Sequence, residues 1–141
     1  MSHESTTPAL VNLQRSLLEA LNRHDLDAMM SFYAPHAVWE VVALGTSFEA
    51  VTAIRGFSEE WLGSYEEFEV DVEELLDLGN GVTFGIFVQK ARPAGSVGHV
   101  RYWFAQVVTW ADGLIVRIDG YPGTDIDEAR AAAERLAEER G

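Results

Sequence analysis

Residues 99–121 read HVRYWFAQVVTWADGLIVRIDGY, and this stretch decides the fold class. Two β-prone runs flank Asp112-Gly113, a dipeptide that favours the left-handed backbone of a tight hairpin turn. Upstream, Asn80-Gly81 marks a second turn, and apolar and acidic residues alternate from Phe68 to Glu73 as in a half-exposed strand. With a further strand expected over 82–90, residues 66–121 predict an antiparallel meander.

Helical spacing dominates the residues on either side of this meander. An apolar stripe with a helical period runs through Leu10, Leu13, Leu17 and Leu21. Asp25 is placed to cap a short second helix, and residues 48–65 predict a third after a β-prone piece at 37–42. Thr124 is expected to cap a closing helix, on which Arg130 would pair with Glu134. Helices followed by a meander predict an α+β fold.

The length and composition favour a single domain over residues 1–141, with residues 1–7 as a flexible tail. The chain carries 23 acidic against 10 basic residues, a net charge of −13, so we expect neither nucleic acid nor membranes as partners. There is no Cys, no signal-peptide pattern and no His spacing typical of a metal site. We therefore expect a cytoplasmic protein without a metal or other cofactor.

Three passages together resemble the SnoaL-like, or nuclear transport factor 2-like, superfamily, which has the ketosteroid isomerase-like fold. They are Ala20-Leu21-Asn22 continuing through Phe32 to Trp39, then Ala53-Ile54-Arg55-Gly56-Phe57, and Phe104 to Trp110 with the hairpin that follows. The resemblance covers nearly the whole chain. It implies a cone-shaped barrel of a curved, mostly antiparallel sheet, packed against N-terminal helices and followed by a C-terminal helix, and usually a homodimer formed through the sheet.

The resemblance does not bring the known catalytic residues with it. The position of the isomerase general base holds Val41, and that of the oxyanion-binding tyrosine holds Leu17. The epoxide hydrolase residues correspond to the run Ile86-Phe87-Val88 and to Gly120. Asp119 is the nearest acid, but one residue of offset turns its side chain to the other face of the sheet. It stays a weak catalytic candidate.

The alternation along 100–110 predicts one face that lines an apolar pocket, with Tyr102 and Gln106 as its polar tips. The alternative is that these residues simply fill a core. With the faces assigned through the resemblance, the expected ligand-binding residues are Trp39, Val41, Phe84, Ile86, Tyr102, Phe104, Gln106 and Ile118.

Other charged and aromatic residues have structural interpretations. His36 and Glu40 share a strand face that points away from Trp39, so a solvated or interfacial role is favoured over acid–base chemistry. Arg55 would bind either a ligand carboxylate or a Glu of the protein. The opposite face of the long strand predicts the homodimer contact, because it would leave Trp103, Ala105 and Val107 exposed.

Three functions remain open at this point. The first is a binder of an apolar small molecule of the polyketide, steroid or terpenoid type. The second is a cofactor-independent isomerase, cyclase or dehydratase that works through Tyr102, Gln106 and Asp119. The third is a dimeric interaction module with a vestigial pocket.

Overall fold

The computed structural model describes residues 9–141, and the predicted flexible tail at 1–7 lies outside them. Four α-helices and six strands make up this part of the chain. The helices are α1 (Leu10–Asn22), α2 (Leu26–Met30), α3 (Val51–Gly63) and α4 (Ile126–Arg140). The strands are β1 (Tyr33–Val41), β2 (Thr46–Glu49), β3 (Tyr65–Gly79), β4 (Val82–Pro93), β5 (Val100–Ala111) and β6 (Leu114–Pro122).

The strands form one curved sheet in the order β2-β1-β6-β5-β4-β3, and the predicted α+β fold is confirmed. Only β1 and β6 run parallel; the other neighbouring pairs are antiparallel. The sheet is open, with β2 and β3 at its edges. The edge strand β2 is absent from the sequence-based expectation, which places Phe48 in a helix.

Local turn and capping chemistry explains most of the element boundaries. Asn80-Gly81 and Asp112-Gly113 all have positive φ, as the predicted tight hairpin turns require. Asp25 accepts a hydrogen bond from the backbone N–H of Ala28 at 3.1 Å and so caps α2. The Thr124 prediction is wrong: this residue lies in a 3-10 turn over Gly123–Asp125, because the chain makes one tighter turn before α4 begins.

The two faces of the sheet carry separate apolar layers. Helices α1 to α3 cover the inner face, where Trp39, Phe87, Val108 and Ile118 belong to the larger core. Helix α4 covers the outer face through a row of fully buried alanines with helical spacing, which let the helix approach the sheet closely. The outer layer consists of Val82, Phe84, Ile86, Ala105 and Val107 with Ala129, Ala133 and Ala137.

An ion pair across elements attaches α4 to the sheet. Arg130 donates to both carboxylate oxygens of Glu74 on β3, at 3.1 and 2.8 Å, and its guanidinium lies 4.9 Å from the centre of the Phe84 ring. The expected pairing of Arg130 with Glu134 along the helix is therefore replaced by a tertiary contact, since a bidentate carboxylate and an aromatic face are better partners.

A buried polar chain crosses the inner core. Thr83 on β4 donates to the amide oxygen of Gln14 on α1 at 2.7 Å, and the indole N–H of Trp110 donates to Thr83 at 3.0 Å. All three residues are buried. The Thr83 hydroxyl therefore satisfies one donor and one acceptor at once, and it ties α1 to β4 and β5.

Replacing Thr83 with Val should lower the free energy of unfolding by about 2–4 kcal/mol, because it leaves two buried polar atoms without partners. Urea unfolding checks this. The control is Thr109→Val, a buried threonine for which no side-chain hydrogen bond is found in residues 9–141; it should change stability little. Equal stability of the two variants would contradict the role given to Thr83.

The sequence predicts that Trp103, Ala105 and Val107 are exposed together on the outer face, and the structure differs from this expectation. Ala105 and Val107 lie beneath α4, so they form no exposed strip, and only Trp103 stays 38% exposed. Its indole N–H donates to Glu73 at 2.9 Å. The sequence alone predicts a subunit contact on this face, because the position of α4 against it follows only from the tertiary structure.

The homodimer stays a prediction, now based on Val100, Tyr102 and Trp103, which are exposed at the start of β5. We expect light scattering at micromolar concentration to give twice the chain mass. Trp103→Glu should reduce this value, because it sets a charge beside Glu73 in the contact. A monomeric mass for the unchanged protein would contradict the prediction.

Candidate functional site

A cavity of about 350 Å³ opens on the inner face of the sheet, between α3 and the strands. Its size lies within the range of small-molecule sites. The lining residues are Trp39, Val41, Ala43, Leu44, Phe57, Trp61, Gln89, Tyr102, Phe104, Gln106, Gly120, Tyr121 and Pro122.

Strand register explains why these side chains meet. Partners in neighbouring strands point to the same face, and Gln106 on β5 is the partner of Gly120 on β6. Gly120 in turn pairs with Val41 on β1. On the other side of β5, Tyr102 pairs with Gln89 of β4. Side chains from four neighbouring strands therefore face the cavity.

Aromatic rings form the wall of the cavity on the side of α3. Trp61 and Phe57 lie one helical turn apart, with their rings nearly parallel at a centroid distance of 6.1 Å. Trp39 contacts both rings edge-on, at 5.2 Å from Phe57 and 6.2 Å from Trp61. Phe104, on the floor of the cavity, meets Trp61 edge-on at a centroid distance of 6.3 Å. These rings present flat apolar surfaces to whatever enters.

Three uncharged polar side chains face the cavity. Gln106 has no side-chain hydrogen bond to any described residue, and Tyr102 is 46% exposed at the rim. Partial burial raises the pKa of the Tyr102 hydroxyl above its ordinary value. Gln89 is the third, and its amide oxygen accepts a hydrogen bond from the Trp61 indole at 3.1 Å.

A second lobe of about 350 Å³ continues past the rim. It shares Trp61, Gln89 and Tyr102 with the main cavity, and it adds Tyr65, Ala91, Pro93 and Val100. The two lobes therefore meet at Gln89 and Tyr102. We refer to the two lobes together as the groove.

The structure brings together most of the residues expected from the sequence. Trp39, Val41, Tyr102, Phe104 and Gln106 line the cavity, in agreement with the predicted inward face. Ile118 lies just beneath it, where it lines a small void of about 30 Å³ in the core.

The expectation that Phe84 and Ile86 face the pocket is wrong. Both pack on the outer layer against α4, and Gly85, Phe87 and Gln89 face inward instead. Residues 82–89 are buried without exception, so the sequence of β4 shows no alternation from which its faces could be assigned. The assignment through the family resemblance was off by one residue, which exchanges the two faces.

Gln89 is the functional candidate that sequence reasoning missed. One signal was available: a glutamine in an otherwise apolar strand needs a partner when it is buried. Its position opposite Tyr102 follows only from the hairpin register of β4 and β5.

Asp119 does not reach the cavity. It shares the outer face with Arg117, which donates to it at 3.0 Å and also to Glu40. Burial raises the pKa of Asp119 above the ordinary value for aspartate, while the charge of Arg117 opposes this rise and that of Glu40 adds to it. The group is a carboxylate–arginine–carboxylate triad on the sheet surface.

The other charged candidates also lie away from the cavity. Glu40 bonds to Arg117, and His36 is exposed on β1. Arg55 forms an ion pair with the exposed Asp27 at 2.8 Å, which identifies a protein carboxylate as its partner. In residues 9–141 no three His, Asp or Glu side chains are arranged to hold a metal ion. None of the helices in that range combines the length and apolar character needed to cross a bilayer.

The positions of the known catalytic groups are occupied by apolar residues. Val41 and Gly120 are register partners at the cavity, and Leu17 is buried below it. Ile86 and Val88 share their face with Trp103 and Ala105, on the other side of the sheet. An acid–base pair is therefore missing from these positions.

A family model described as "SnoaL-like domain" matches residues 14–118. No curated protein is detectably similar to the chain in sequence. Several solved structures share its fold. TerC, co-crystallised with polyporic acid, is 12% identical with a TM-score of 0.70, over 89% of this chain and 97% of its own.

Two further structures are similar over almost their full length. A protein with a ketosteroid isomerase-like fold from Catenulispora acidiphila, in complex with trimethylamine, is 15% identical with a TM-score of 0.71, over 92% of this chain and 95% of its own. An epoxide hydrolase from M. tuberculosis, described as LEH-like, is 15% identical with a TM-score of 0.69, over 94% and 96%. Identities this low show the fold alone.

The triad makes an opposed pair of predictions for Asp119, measured by NMR titration of its carboxyl carbon. Arg117→Gln should raise the pKa of Asp119 further, because it removes the cation that favours the carboxylate. Glu40→Gln should lower it, because it removes a neighbouring negative charge. The same direction of change in both variants would contradict the electrostatic account.

Proposed function

The chain belongs to the SnoaL-like domain family, and we propose that it binds an apolar, ring-containing small molecule in its inner cavity. One observation carries the proposal: an open cavity, walled by aromatic rings, holds only a few uncharged polar groups. Such a lining removes the apolar surface of a bound ligand from water and orients the ligand by a few hydrogen bonds.

The shape favours a flat ligand. Trp39, Phe57 and Trp61 offer ring faces and edges, against which planar or fused-ring molecules stack with little loss of contact. We infer a ligand of the polyketide, steroid or terpenoid type. Two proteins of the same fold hold small molecules, polyporic acid and trimethylamine.

Binding is favoured over catalysis by the chemistry of the lining. Among the described residues, the cavity wall contains no Asp, Glu, His, Lys or Arg, and general acid–base catalysis needs a group that exchanges a proton near neutral pH. The enzyme alternative, an isomerase, cyclase or dehydratase, would depend on Tyr102 and Gln106, since Asp119 lies on the other face. Turnover of a ketosteroid or epoxide that is lost in a cavity variant would support it.

The interaction-module alternative requires a vestigial pocket. An open volume of about 350 Å³ supports a working binding site over a filled core. The acidic charge supports the expectation that neither nucleic acid nor an anionic membrane is a partner. The acidic, cysteine-free composition also supports a cytoplasmic location.

Titration with fluorene, a flat tricyclic hydrocarbon, should change the tryptophan fluorescence, because Trp39 and Trp61 line the cavity. Gly120→Leu should weaken binding at least about tenfold, since a side chain at Gly120 projects into the cavity beside Gln106. A β-carbon at this position would lie 3.3 Å from the Trp39 indole nitrogen, a tight contact that requires the Trp39 side chain to shift by a few tenths of an ångström, and circular dichroism checks that the variant keeps its fold.

Asp119→Asn is the matched control. It changes the neighbouring residue on the same strand but alters only the outer face, so fluorene should bind as to the unchanged protein. Equal binding by the Gly120 variant, or a loss of binding caused by Asp119→Asn, would place the site elsewhere.

A further inference from the structure

Gln89 occupies the junction between the two lobes of the groove. Its side chain borders both, and the residue is only 5% exposed. The Trp61 indole donates to its amide oxygen at 3.1 Å. In residues 9–141 no group accepts a hydrogen bond from the Gln89 amide nitrogen.

The orientation of this amide is fixed by its partner. An indole nitrogen is a donor only, so a rotated amide would set its NH₂ against another N–H and lose the bond. The oxygen must face Trp61, and the NH₂ must point away from it. Within residues 9–141, Ser58 Oγ is the only fully sealed side-chain polar atom without a partner. The Gln89 NH₂ is therefore not sealed in protein and borders the open groove.

Trp61 is itself held in place. Its ring packs nearly parallel to Phe57 and meets Trp39, Phe68 and Phe104 edge-on, with centroid distances between 5.1 and 6.3 Å. An indole confined on these sides cannot turn its N–H elsewhere without breaking the packing. The amide of Gln89 therefore inherits a fixed direction from the aromatic cluster.

We propose that Gln89 is a fixed hydrogen-bond donor that selects ligands with an acceptor oxygen on the edge of a flat ring system, with Trp61 as the residue that positions it. This inference rests on the proposed function of the cavity. The ligand class is a planar polycyclic carbonyl compound, whose oxygen meets Gln89 at the junction while its rings extend into the aromatic lobe.

The other amide and hydroxyl groups at the cavity, those of Gln106 and Tyr102, do not have this selectivity. No described residue bonds to the Gln106 side chain, so its amide can turn to present either oxygen or NH₂ to a ligand. The Tyr102 hydroxyl rotates and serves both roles. At the junction, discrimination between acceptor and donor ligands therefore depends on Gln89. The Trp39 indole N–H, for which no acceptor is found in residues 9–141, is a further donor-only group and lies beside Gly120, away from the junction.

Three tricyclic probes of similar shape separate these possibilities. Fluorenone carries an acceptor oxygen on its five-membered ring, carbazole carries a donor N–H at the same place, and fluorene carries neither. With Kd values measured by equilibrium dialysis, fluorenone should bind about fivefold more tightly than fluorene, and carbazole no better than fluorene. Equal Kd values for the three would overturn the inference and leave the proposed function intact. Binding of none would overturn both.

Two variants test the fixed direction independently. Gln89→Glu is measured at a pH at which the new carboxyl group is ionised. One carboxylate oxygen still accepts from the Trp61 indole, and the other replaces the donor NH₂ with an acceptor, so the preference should reverse towards carbazole. Trp61→Phe keeps an aromatic ring but releases the Gln89 amide, so carbazole should gain on fluorenone. Asp119→Asn, which changes only the outer face of the sheet, is the control and should keep the fluorenone preference. An unchanged fluorenone preference in either test variant, or its loss in the control, would overturn the assignment to Gln89.

Discussion

The register between β4 and β5 is the constraint on which the rest of the structure depends. It places Gln89 opposite Tyr102 and Gly85 opposite Gln106, so that the polar groups of both strands face the same side. Because side chains alternate along a strand, a slip of β4 by one residue would turn Gln89 to the outer face, where α4 packs, and would bring Phe84 into the groove. Residues 94–99 join the two strands at one end, and at the other end the backbone N–H of Trp110 donates to the carbonyl of Gly81 at 2.7 Å.

Glycine has a different role at two positions on the inner face. At Gly85 a β-carbon would lie 2.4 Å from the Phe87 ring, so the absence of a side chain lets that ring lie flat in the core. At Gly120 a β-carbon would lie 3.3 Å from the Trp39 indole nitrogen and would require a small shift of that side chain, and its absence contributes open space beside Val41 and Gln106. The first glycine serves packing and the second serves the cavity.

Charge and cavity are separated by the two faces of the sheet. The outer face carries the Arg117 triad and the Arg130–Glu74 pair, while described residues that line the cavity are uncharged. Ion pairs at a surface cost little desolvation, whereas a charge inside an aromatic pocket would have to be compensated. This separation makes the site suited to selection by shape and by hydrogen-bond polarity.

The sequence by itself determined the α+β class and the two hairpin turns, and the family resemblance identified the inward face of β5, with Tyr102, Phe104 and Gln106. It could not determine the faces of β4, which is apolar on both sides and buried on both. Only the tertiary structure decided that Gln89 faces the cavity and that Phe84 lies under α4. The reason is physical: when helices cover both sides of a strand, burial no longer distinguishes its faces, and only pairing with neighbouring strands does.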